Sequence, residues 1–99
     1  MLTHVVLFWF NPTAPSEHRQ AVVADCTTML SKIPTVKHIT AGVAAGTPRD
    51  VVDNSYDVGL SVVFDDAAGL DKYQVHPLHK EFLARHQQHF ARVLVYDFH

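Results

Sequence analysis

The stretch Leu2-Thr3-His4-Val5-Val6-Leu7-Phe8-Trp9-Phe10, closed by Asn11-Pro12, decides the fold. β-Branched and aromatic residues dominate it, and the Asn-Pro pair ends it, as in a strand that runs into a turn. Alternate side chains of a strand point to opposite faces. One face carries Leu2, His4, Val6, Phe8 and Phe10, the other Thr3, Val5, Leu7 and Trp9, and nearly everything on both is apolar. Such a strand belongs between two covering layers. At about 25 cal/mol per Å² of apolar area, a wet face would forfeit much of the stability of a small domain.

Beyond the turn, Val22, Val23, Cys26, Met29, Leu30 and Ile33 recur at three- and four-residue spacings, which predicts a helix from about Ser16 to Ile33, stopped by Pro34. Val36 to Ala44 reads as a weaker strand, followed by a loop through Gly46-Thr47-Pro48. Tyr56, Val58, Leu60, Val62 and Phe64 alternate cleanly and predict a strand to Asp65. Asp65 or Asp66 can cap a helix carrying Leu70 and Tyr73; Pro77 interrupts it, and a second segment with Leu78, Phe82 and Leu83 inward runs to about His89. Val93 to Phe98 makes the last strand. The order strand, helix, strand, strand, broken helix, strand is the split βαβ arrangement of a ferredoxin-like α+β domain. Its four-stranded antiparallel sheet carries both helices on one face, so the opposite face of the opening strand needs another cover. A second copy of the chain is the simplest one, giving a homodimer through sheet faces whose barrel would also wall any site.

The 99 residues fit one domain spanning 1–99. A chain this short has a thin core and gains from partner burial. With a formal net charge of −2 and scattered Lys and Arg, it has no footprint for nucleic acid or an anionic membrane. The single cysteine, Cys26, can form no internal disulfide, which suits a reducing, cytoplasmic setting. The apolar start lacks a charged leader and a cleavage site, and no apolar run reaches the ~18 residues of a membrane span.

Eight histidines are an excess for this length, and imidazole is the side chain that titrates near neutrality. His4, His76, His79, His86 and His89 lie in or beside predicted elements; His18, His38 and His99 read as surface or terminal positions. In Tyr73-Gln74-Val75-His76-Pro77-Leu78-His79, the bend at Pro77 can direct Tyr73 and His79 to one cavity edge. A hydroxyl donor beside an imidazole base is the minimum for removing a proton from carbon next to a carbonyl. Both His76 and His79 have a structural alternative, in which they bond locally and lock the helix break. His4, on an apolar face, reads on spacing as a satisfied core histidine. His76 with His79, and His86 with His89, have a spacing that metal pairs use, but four committed ligands, HExxH and CxxC are all lacking, so no metal is assigned. Cys26 reads as a packed small hydrophobe. Gly42, Gly46, Gly59 and Gly69 form no phosphate loop, and no cofactor is implied.

His4-Val5-Val6-Leu7-Phe8, Ile33-Pro34-x-Val36, Tyr56-Asp57, Tyr73-x-x-His76-Pro77-x-His79 and Val95-Tyr96-Asp97-Phe98, in this order, resemble the stress-responsive A/B-barrel (Dabb) domain over essentially the whole chain. The resemblance implies a dimer of ferredoxin-like subunits that close into a barrel. One characterised relative, the plant polyketide cyclase that makes olivetolic acid, uses a histidine base and a tyrosine; the matching positions are His79 and Tyr73, and His4 matches a pocket histidine. This sequence departs from it at Val58, which aligns with another pocket histidine, and at Cys26, which aligns with a tyrosine. With His76, these positions make up the substrate-binding set the resemblance implies, in a cavity of altered shape and polarity. The implied function is a cofactor-independent enzyme using histidine acid/base chemistry, of cyclase or lyase type, on a small apolar or keto-acyl ligand. The alternatives are a non-catalytic stress-responsive dimer or small-ligand-binding protein, and an interaction module joined through its edge strands.

Overall fold

In the computed structural model, which describes residues 1–99, the opening segment is the strand β1 (Leu2–Phe10). Helix α1 (His18–Thr28) and a 3-10 turn at Leu30–Lys32 follow, then β2 (His38–Val43) and β3 (Val58–Phe64). Next come α2 (Ala67–Val75), α3 (Pro77–His86), a second 3-10 turn at Gln87–His89, and β4 (Phe90–Phe98). The α1 segment breaks into helix and turn where Thr27, Thr28 and Ser31 hydroxyls donate to carbonyls three and four residues back. Such back-bonding competes with the regular ladder. Similarly, the helix expected to reach His89 ends at His86, and β4 begins three residues earlier than the Val-rich run suggests.

All strand pairs are antiparallel, in the order β2-β3-β1-β4. This is the ferredoxin-like arrangement, with the two-faced β1 inside the sheet. Leu2, His4, Val6 and Phe8 are buried under the helices with Val58, Leu60, Val62 and Phe64 of β3. Val22, Cys26, Met29, Leu30 and Ile33 cover them from the α1 side, and Leu70, Tyr73 and Phe82 from α2 and α3. On the other face of the sheet, Thr3, Val5, Leu7 and Trp9 are only half-buried in the single chain. Tyr96 and Phe98 lie beside them at 57% and 58% exposure, and the Arg92 guanidinium rests 4.5 Å over the Trp9 ring. No helix is long and apolar enough to cross a membrane.

Each of the two helices that meet at Pro77 is capped at its own N-terminus. Asp66 Oδ1 accepts from the Gly69 N–H at 2.9 Å and starts α2. His76 leaves the helical conformation, and its Nδ1 accepts from the Leu78 N–H at 3.1 Å, so it caps α3 with Pro77 in the first helical position. The two short helices thus meet at an angle set by sequence, and the residues on each side of the break are aimed independently.

Candidate functional site

A cavity of about 180 Å³ opens between α2, α3 and the β1–β4 half of the sheet. Val6, Phe8, Leu60, Phe82, Leu83, Phe90, Val93 and Val95 give it apolar walls; its polar lining is His4, Tyr73, Gln74 and His79. The helices reach over β1 and β3 but leave Val93 and Val95 of β4 47% and 44% exposed, which forms the mouth. The cavity therefore lies on the helix side of the sheet and is walled by one chain. On this side of the sheet the two short helices leave β4 partly uncovered, and that strand borders the gap.

Tyr73, near the end of α2, and His79, in the first turn of α3, approach across the Pro77 break with ring centroids 4.8 Å apart. His4 meets the edge of the Tyr73 ring at 6.1 Å. Tyr73 is 1% exposed, and it lines the cavity. Burial raises its pKa far above the ordinary phenol value, so it stays protonated as a donor. His79 Nδ1 is sealed and unpartnered, which leaves Nε2 as the nitrogen available to the cavity. Burial, and then the nearby His4 ring, hold the His79 pKa below its usual value, against a raising influence from the Gln74 backbone. His79 is neutral at pH 7 and can act as a base.

His4 is held by Asp97, whose Oδ1 lies 2.5 Å from Nδ1. The two residues face each other in the β1–β4 register. Asp97 and Gln74 are the polar contributors that reading the sequence missed. Three of the expected site residues, His4, Tyr73 and His79, line one cavity. The others do not. His76 is committed to capping α3. Val58 and Cys26 are fully buried in the core and take no part in the cavity wall, because Val58 packs under α1 and Cys26 sits on the inner stripe of that helix. Burial pushes the Cys26 thiol up to about 12, the state of an inert core residue. No three His, Cys, Asp or Glu side chains converge in a geometry that could hold a metal ion.

Strand order, helix placement and an apolar cavity on the helix side together define a ferredoxin-like α+β protein with a small-molecule-sized pocket. Residues 2–99 match the family model described as "Stress responsive A/B Barrel Domain", and the chain belongs to that family. A dimeric ferredoxin-like protein of unknown function from Thermobifida fusca superimposes with TM-score 0.83 at 25% identity, covering 98% of this chain and 88% of that one. A Dabb family protein from Mesorhizobium loti gives 0.78 at 24% identity, covering 99% and 94%. The hydroxynitrile lyase of Passiflora edulis gives 0.82 at 14% identity, covering 98% and 90%. No curated protein matches the chain.

Proposed function

We propose that the chain is a cofactor-independent enzyme that moves a proton on a small apolar carbonyl compound. The observation that carries this reading is the meeting of a neutral imidazole and a protonated phenol on one apolar cavity, with a second imidazole alongside. His79 Nε2 takes a proton from carbon next to the carbonyl; the C–H electrons move to the carbonyl oxygen as an enolate, and the Tyr73 hydroxyl donates to that oxygen. The carbanion equivalent then closes a ring or expels a leaving group, the cyclase or lyase outcome. A cavity of about 180 Å³ holds one small ring or a short acyl chain, since about 150 Å³ accommodates benzene. The same fold carries the Passiflora lyase, which supports the class of chemistry and leaves the substrate open. A panel of β-keto thioesters turned over by the wild type and lost in His79→Ala is the expected result; equal turnover by both proteins removes His79 as the base.

The working form is a cytoplasmic homodimer joined through the uncovered sheet face. Support comes from the half-buried Val5, Leu7 and Trp9, the exposed Tyr96 and Phe98, and relatives described as dimeric. Light scattering at micromolar concentration is expected to give twice the chain mass, and a clean monomer overturns the assignment.

A further inference from the structure

A second group of imidazoles lies away from the cavity, where α1, α3 and the turn before β4 meet. His86, 3% exposed, has Nε2 at 2.6 Å from Asp25 Oδ2 and Nδ1 at 3.3 Å from His18 Nε2. The His18 ring lies tilted against that of His89 with centroids 4.1 Å apart, and it meets Phe10 edge-on at 5.5 Å. Sequence reading left His18 as a surface residue; the fold brings it 68 positions along the chain to His86.

Two ring nitrogens hydrogen-bonded to each other need one of them bare. With His86 neutral, Nε2–H donates to Asp25 and the bare Nδ1 accepts from His18 Nε2–H. With His86 charged, it donates from both nitrogens and His18 accepts. A second proton makes both facing nitrogens donors, and the contact turns repulsive in hydrogen bonding and in charge together. Little negative charge is at hand to offset it. Asp25 is the one carboxylate at the cluster, and Arg85 already shares it at 3.4 Å while also reaching Glu81 at 3.4 Å. Arg19, next to His18 on α1, is turned to Asp57. The turn before β4 adds only another imidazole, His89, and the strands bring Phe10 and Phe90, which are not ionisable. Burial and the two neighbouring histidines hold the His18 pKa below its usual value, in keeping with a contact that resists the second proton.

The corner that this contact fastens leads to the cavity. The His89 carbonyl accepts from the Asn11 N–H at 2.7 Å, and the next residue, Phe90, packs against Phe8 and stacks on Phe10 with centroids 4.6 and 5.7 Å apart and forms part of the cavity wall. We propose that the His18–His86 contact is an acid-released latch: closed near neutral pH, it parts when both rings are protonated and loosens the corner that holds Phe90 against the cavity.

Amide exchange followed by NMR on the whole protein at pH 7.5 and 5.5, corrected for the intrinsic pH dependence, tests this. In the wild type the opening of Asn11 and Phe90 is expected to rise at least tenfold at the lower pH. In His18→Gln, whose amide can still donate to His86 but cannot take a proton, it is expected to stay flat. An equal acid response in both proteins, or none in the wild type, overturns the latch. If the variant does not fold, imidazole C–H resonances of the wild type decide: mutually dependent titration of His18 and His86 supports the latch, and independent titration overturns it.

Discussion

Replacing Tyr73 by phenylalanine removes one atom and separates a working hydroxyl from a structural one. The ring is 1% exposed and packs against Phe64 with centroids 5.1 Å apart, so it remains as core filler in the variant. The hydroxyl belongs to a residue that lines the cavity. A hydroxyl that faces only the cavity contributes little to the fold, because water there can take its hydrogen bond. Tyr73→Phe is therefore expected to leave stability unchanged or to raise it by up to about 1 kcal/mol, equal to roughly 4 to 8 °C in Tm for a domain of this size. Turnover is expected to fall about 10²- to 10³-fold, the usual cost of losing one donor to a developing oxyanion. Urea unfolding with an unchanged m-value gives the first quantity, and steady-state kinetics the second. A loss of more than about 1 kcal/mol would mean that the hydroxyl holds the fold together, refuting the assignment of a free donor aimed at a ligand.

The remaining expectations concern the histidines. Because burial lowers the folded pKa of His79 below an unfolded value of about 6.5, folding disfavours its protonated form; its contribution is intact above that value and declines as the pH falls below it. An NMR titration should place the His79 midpoint below the ordinary value, with activity falling on the acid side, and a midpoint at or above it contradicts the neutral-base reading. Asp97→Asn trades a charge-assisted contact to a buried imidazole for a neutral one, and with Asp97 partly in solvent, urea unfolding should register a loss of about 1 kcal/mol. His76→Ala removes the α3 cap and should cost about 0.5 to 2 kcal/mol, while His76→Asn, which can also accept at that position, should recover most of it in the same assay.

What could be read from sequence was what depends on near neighbours. The two apolar faces of β1, the alternation from Tyr56 to Phe64 and the stop at Pro77 each follow from period or from one residue's covalent constraint, and together they give strand order and helix side. Tyr73 and His79 could be placed at one edge because only six positions and a proline separate them. Asp97 lies 93 positions from His4, and its partnership exists only once β4 is set beside β1 in register. A signal was present: Val93, Val95 and Asp97 share a face of β4, so the carboxylate marks the single polar position on an otherwise apolar stripe. Helix ends were harder, because hydroxyl back-bonding in α1 and the turn at Gln87–His89 are local events that hydrophobic spacing does not register. Alignment to the cyclase placed Val58 and Cys26 in a pocket by position. Their side chains are small and apolar, and the fold closes over them as core.

Because helices and cavity share one side of the sheet, the two faces of β1 can be selected for separate ends. His4, Val6 and Phe8 look toward the cavity, whereas Val5, Leu7 and Trp9 look away from it toward the proposed partner. A substitution on the outer face changes association without removing a cavity-lining side chain, and one on the inner face does the reverse. The strand connects them rigidly, and its pairing with β4 carries both the His4–Asp97 contact and the outer Leu7–Leu94 and Val5–Tyr96 pairs. Packing by a second copy would steady β4, an edge strand whose inner residues have no helix over them. A second copy would then matter to the cavity through the position of Val93, Val95 and Asp97.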